Sequence, residues 1–190
     1  MIPFIQVMDR LASGKNVLIF LGTQLVCQLL LLFGTGKRIE QKAGEPILDL
    51  RFQYTHEQVM FFFTQLGEAG RALHLYNQLL DFVFLFFYSI GYALLIMYLV
   101  KKLNKETSWI SSACLLPYLL AFFDVLENTG IIWMLRAYPD LSINLVYVVN
   151  LFSILKHLVT LIVLATVLLL ALLVARKYLR EKQQEKTSRR

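Results

Sequence analysis

Residues 158–174 read LVTLIVLATVLLLALLV, an apolar run without a charge, a glycine or a proline. Wound as a helix rising 1.5 Å per residue, such a run covers most of the ~30 Å hydrocarbon core of a bilayer. In lipid only helices and closed barrels satisfy their own backbone, and an unalternating run like this one is helical. Extended backward to residue 145, it becomes the last of four such blocks. The others cover residues 17–34, 79–100 and 110–135. The 190-residue chain is 57% hydrophobic and 17% charged, more apolar and less charged than a soluble domain of this length, and these four blocks hold the excess. The expected fold is therefore all-α: a polytopic four-helix bundle forming one membrane domain.

Charge sets an expected orientation. The net charge is +6, and Arg176, Lys177, Arg180, Lys182, Lys186, Arg189 and Arg190 crowd the last 15 residues. With Arg10, Lys15, Lys101, Lys102 and Lys105, twelve Lys and Arg fall on one side of the bundle, against six on the other, with Lys156 inside the last span counted on neither. The positive-inside rule then places both termini in the cytoplasm, in the cell (inner) membrane, with the basic tail of residues 176–190 against anionic lipid head groups. Membrane lipids are the expected surroundings. The basic charge comes without a recognition motif or base-stacking pattern, so nucleic acid is not an expected partner. The first block has the outline of a signal peptide. It also holds Gln24 and Gln28 and lacks an A-x-A site, so it reads as a retained span. Residues 1–16 ahead of it read as an interfacial segment on the cytoplasmic side.

The segment 35–78, outward by this orientation, is too long for a simple loop. Residues 37–50, with Gly44 and Pro46, read as irregular. Thr55 and Gln58 form a capping box that starts a helix over residues 59–66. Phe61, Phe62 and Phe63 make that outer helix greasy enough to lie in the membrane interface or to plug the mouth of the bundle. Gly67 and Gly70 bend the chain before the second span.

Polar residues inside spans face the bundle interior. Arg71, His74, Gln78 and Asp81 form one helical stripe, continued by Tyr88 and Tyr92. Asp124, Glu127 and Asn128 share a face of the third span. Asn150, Ser153, His157 and Thr160 share one of the fourth, and Gln24 and Gln28 are one turn apart on the first. Glu127 lies about 12 Å from the outer end of its span at the helical rise, and the other stripes fall near the same level. The expectation is an outer-half polar cavity, roofed by the Phe61–Phe63 helix and lined by Arg71, His74, Asp81, Asp124, Glu127, Asn128, Asn150 and His157. Arg71, Lys156 or His157 would neutralise the acids. Interhelical hydrogen bonding alone is the competing role, favoured for Gln24, Gln28, Asn150 and Ser153. A carboxyl costs more to bury than an amide, which favours a site at Asp124 and Glu127.

Familiar signatures fail. Gly14-Lys15 and Gly36-Lys37 lack the upstream glycine and the following Ser or Thr of a P-loop, and there is no HExxH, GxSxG or dinucleotide turn. The three histidines lie on separate elements and Cys27 and Cys114 are far apart, so no metal and no cofactor is expected.

The run Leu48-Asp49-Leu50-Arg51-Phe52-Gln53-Tyr54-Thr55, then Leu66-Gly67-Glu68-Ala69-Gly70-Arg71, Asp81 and Asp124-Val125-Leu126-Glu127-Asn128 resemble an uncharacterised family of small four-span membrane proteins. The resemblance covers residues 40–175 and implies no activity. The four-span architecture and the Glu127/Asn128 pair are also similar to the sterol-isomerase and sigma-2-receptor group, from which no residue role carries over. Three functions follow as expectations. The first is binding of a lipid or amphipathic small molecule in the outer-half cavity. The second is a membrane enzyme, isomerase-like, using Glu127 and Asp124 as acid and base on a lipidic substrate. The third is a transporter or assembly subunit, disfavoured because no inverted repeat is visible.

Overall fold

The computed structural model describes residues 3–104 and 108–188. Lys105, Arg189 and Arg190, which enter the charge asymmetry, and Met1 and Ile2 of the leading segment lie outside the described residues. The protein is all-α. Helix α1 (Pro3–Leu11) precedes α2 (Gly14–Leu30), which passes through a π-helical turn at Leu31–Gly36 into α3 (Lys37–Ala43). Then come a 3-10 turn at Leu48–Leu50, the long α4 (His56–Lys102), the short α5 (Ser108–Ser111), α6 (Leu116–Ala137) and α7 (Ile143–Ser188). Among the described residues, four helical stretches are long and apolar enough to cross a membrane: Gly14–Ala43, His56–Lys102, Ser112–Ala137 and Ile143–Thr187.

The central helices are α4 and α6. Helix α2 packs on α4, and α7 packs on α6 and, less extensively, on α4. The outer faces of the peripheral helices are apolar, with Leu18, Phe33, Tyr147, Leu161 and Leu168 all exposed. A surface facing lipid has this character. Close approach of α6 and α7 depends on Gly130, where an added Cβ would lie 2.3 Å from Val149 Cγ2. Small residues let membrane helices approach in this way.

Several boundaries differ from the sequence reading, each for a local reason. Residues 37–43 are helical rather than irregular, because the π turn carries the first span onward until Gly44 (φ 73°) ends it in the left-handed conformation. The extra residue in a π turn keeps the helix continuous while re-aiming its faces. Thr55 caps α4 through the expected box with Gln58. The bend that follows is at Gly67 alone (φ 62°, ψ −178°), whereas Gly70 is helical and packs against Leu66. Pro117 sits in the first turn of α6, where its missing N–H costs nothing. The basic tail continues α7, which runs helical through Ser188. At 46 residues it spans about 69 Å and outruns the hydrocarbon core. Helix α1 is amphipathic, seating Ile5 and Met8 while Lys101 reaches Asp9 at 3.3 Å.

The greasy arm of α4 ahead of Gly67 plugs one end of the bundle. Phe62 and Phe63 are fully buried against Ile131, Met134, Val146 and Val149, while Phe61 remains half exposed. A second apolar cluster around Leu85, Leu120 and Val163 fills the middle, and a third around Ile5, Met97 and Leu170 fills the end nearer the N-terminus.

Candidate functional site

Between α3 and α4, residues 44–55 form a strap that folds back against α7. The 3-10 turn inside it leaves backbone groups unpaired, and α7 satisfies them with side chains spaced three apart. Asn150 Oδ1 accepts from the Tyr54 N–H at 2.8 Å, Ser153 Oγ donates to the Arg51 carbonyl at 2.9 Å, and Lys156 Nζ donates to the Asp49 carbonyl at 2.8 Å. The strap also ties itself. Arg51 is ion-paired to Glu45 at 2.9 Å, donates twice to the Pro46 carbonyl and lies 4.8 Å from the centroid of the Phe62 ring.

Beneath the strap lies a cleft of about 340 Å³. Gln24 and Gln28 of α2 form one side, joined to each other at 2.9 Å, and Lys156, His157, Thr160 and Leu164 of α7 form the other. Asp49 and Leu50 of the strap, Asp81, Phe84, Tyr88 and Tyr92 of α4, and Leu120 and Asp124 of α6 complete it. The cleft is thus flanked by the two peripheral helices, and its lining divides into a polar foot and apolar walls. A cleft of this size is in the range that holds a small molecule. The groove at Arg180, Gln183, Gln184 and Thr187 is one exposed face of α7 and encloses nothing.

The foot holds a four-residue chain and a separate bonded pair. Tyr88 Oη donates to Asp124 Oδ2 at 2.8 Å, Lys156 Nζ lies 3.6 Å from Asp124 Oδ1, and the same ammonium pairs with Glu127 Oε2. Asn128 Nδ2 donates to Asp81 Oδ2 at 2.6 Å, linking α6 to α4. His157 Nδ1 lies 2.8 Å from the Ser153 carbonyl, which can only accept, so the ring proton is on Nδ1 and Nε2 is left as an acceptor when the ring is neutral. Its edge meets Phe52 at 5.7 Å between centroids. Asp49 is 8% exposed, and its Oδ1 has no hydrogen-bond partner among the described residues. Burial raises the Asp49 carboxyl above the usual carboxylate range, the Lys156 ammonium pulls it back, and the neighbouring Asp124 adds to the rise.

Of the residues singled out from the sequence, Asp81, Asp124 and His157 meet in the cleft, with Glu127 and Asn128 fully buried just behind it. Three lie elsewhere. Arg71 donates to the Phe63 carbonyl at 2.9 Å and stacks 4.4 Å from the Tyr138 centroid, so it neutralises none of the acids. His74 is enclosed by Phe62 and Phe63, at 5.6 and 6.5 Å. Asn150 holds the strap rather than facing the cleft. The Phe61–Phe63 arm is not the roof either; Asp49 and Leu50 cover the cleft, because the phenylalanines are drawn between the ends of α6 and α7. Sequence reasoning left Asp49 out of the site and treated Lys156 only as one of three possible counter-charges. A lysine one residue before His157 on the polar stripe was the available signal for the second; Asp49, in a segment without periodicity, had none.

Among the described residues, no group of three or more His, Cys, Asp or Glu is arranged to hold a metal ion. No family model, no curated protein and no solved structure matches the chain.

Proposed function

We propose that the protein binds an amphipathic small molecule, a lipid or lipid-like compound, in the cleft beneath the strap. One observation carries this reading: a single cleft joins a charged, hydrogen-bonded foot to apolar walls at Leu50, Phe84, Leu120 and Leu164, between the two helices that face lipid. A head group would sit at Asp81, Asp124 and His157, and a chain would leave between α2 and α7. A photo-crosslinkable phospholipid carrying its diazirine near the head group tests it. Label concentrated on cleft residues such as Leu50 and Leu120 supports the reading. Label spread equally over the exposed face of α7, at Leu161, Leu168 and Leu172, overturns it.

The same reading puts the protein in the cell membrane with both termini cytoplasmic and the cleft in the outer half, supported by the Lys and Arg asymmetry. With Cys27 and Cys114 replaced, Asp140→Cys should react with a membrane-impermeant maleimide on intact cells. Gln184→Cys should react only after permeabilisation. The reverse pattern inverts the orientation.

A second reading rests on the Tyr88–Asp124–Lys156–Glu127 chain, which could move a proton to a lipidic substrate in the cleft. In that case Glu127→Gln abolishes turnover while the variant still folds and still binds; unchanged turnover excludes it.

A further inference from the structure

The polar side chains of the cleft fall into two sets. The acids of the foot are met from within the protein. Asp81 has the Asn128 amide, Asp124 the Tyr88 hydroxyl with Lys156 nearby, and Glu127 the same ammonium, while the Gln78 side chain stands beside the Asp49 carboxyl. The uncharged groups on the two lips of the cleft are not met. Gln24 and Gln28, one turn apart on α2, share a single hydrogen bond. Two carboxamides bring two carbonyl acceptors and two NH2 donors, so whichever way the amides are turned, one carbonyl and one whole NH2 remain. Among the described residues neither has a partner, and neither is sealed away from the surface. On the α7 lip, the proton of His157 is on Nδ1 at the Ser153 carbonyl, so Nε2 accepts when the ring is neutral. Thr160 gives its hydroxyl proton to the Lys156 carbonyl at 2.8 Å, so its oxygen also accepts. The rest of α2 near the pair is apolar, with Leu25, Val26, Leu29 and Leu30 exposed. Amide and imidazole groups in such surroundings are costly unless something hydrogen-bonds to them.

We propose that the occupant of the cleft is an amphiphile whose head group is uncharged and hydroxyl-bearing, donating to His157 Nε2 and accepting from the free NH2 of the Gln24–Gln28 pair, and whose apolar chain leaves between α2 and α7. This rests on the binding reading above and names the head group. A hydroxyl both donates and accepts, so it answers the acceptor lip of α7 and the donor on α2 together. An ether keeps the oxygen and loses the donor, which leaves His157 Nε2 unmet. An ammonium donates and cannot accept from an amide N–H. A carboxylate accepts and cannot donate, and it would lie beside the acids of the foot.

The test uses the full chain in nanodiscs of neutral phosphatidylcholine, titrated calorimetrically with octane-1,2-diol, its dimethyl ether, octylamine and octanoate, with empty nanodiscs subtracted. The diol should saturate one site about tenfold more tightly than the ether, the cost of leaving a buried acceptor without its donor. It should also bind more tightly than either charged probe. His157→Phe should lower the diol to the level of the ether and leave the ether unchanged. Equal affinity for diol and ether in the unaltered protein overturns the hydroxyl assignment and leaves the cleft reading standing. Tighter binding of octylamine or octanoate than of the diol overturns the uncharged head group and also leaves the cleft. The absence of any binding above empty nanodiscs overturns both. The unaltered-protein series decides the matter even where His157→Phe fails to fold.

Discussion

Lys156 Nζ donates to the Asp49 main-chain carbonyl at 2.8 Å while pairing with Glu127 and lying 3.6 Å from Asp124. One ammonium on α7 therefore joins the strap to the acids of α6. The Lys156 side chain is 12% exposed and that of Glu127 is 0% exposed, so the Glu127 charge has no water to fall back on.

Removing that ammonium strands a buried carboxylate. Lys156→Met should cost about 3–5 kcal/mol of stability, read as a drop in the thermal midpoint in mild detergent. The double variant Lys156→Met with Glu127→Gln should recover part of the loss. A double variant as unstable as the sum of the two singles would mean that the pair is not coupled.

The approach of α6 to α7 is set by the absent side chain of Gly130. Gly130→Ala forces a methyl into Val149, where the contact would be 2.3 Å, and should cost about 1–3 kcal/mol. Adding Val149→Ala makes room, so the second substitution should be less harmful in the Gly130→Ala background than alone. Thermal unfolding of the four proteins of this cycle is the measurement.

The bend in α4 separates backbone strain from crowding. At Gly67 a Cβ would meet nothing within 4 Å, yet the φ of 62° with ψ −178° is a region essentially confined to glycine. Gly67→Ala should cost about 1–3 kcal/mol through the backbone alone. Gly22, also with nothing within 4 Å of its Cβ, lies in regular helix, so Gly22→Ala should be neutral or slightly stabilising. Equal losses at the two positions would remove the strain explanation.

Asp49 gives a pH signature of defined sign. Its folded carboxyl holds a proton more firmly than an unfolded one, because burial outweighs the attraction of Lys156. The folded state is thus favoured by this group at low pH, and the advantage is lost as pH rises through the folded value. Relative to Asp49→Asn, the unaltered protein should gain thermal stability between about pH 8 and pH 4. A constant difference across that range would show that Asp49 titrates as it does in an unfolded chain.

The four long apolar helices were legible in the sequence because an unbroken hydropathic run is a local signal, and the Thr55–Gln58 cap because its signature is local too. Helical spacing also found Asp81, Asp124, Glu127 and His157, since residues three and four apart stay on one face along an unbroken helix. The same spacing misassigned Arg71 and His74. They share the stripe, but they lie in the turns just after Gly67, where the returning arm of phenylalanines covers them. Asn150 was found as polar, but not as the acceptor for a backbone N–H, because that partner lies 96 residues earlier in the chain. Asp49 was invisible for a related reason: its position is decided by side chains of α7 and not by any repeat around it.

The lacing of the strap by Asn150, Ser153 and Lys156 also sets an order for biogenesis. Its three bonds close over 96, 102 and 107 residues, so the ribosome completes the strap long before it makes the helix that holds it. Until α7 is made, residues 44–55 lack the side chains that satisfy their backbone, and the cleft lacks one of its sides.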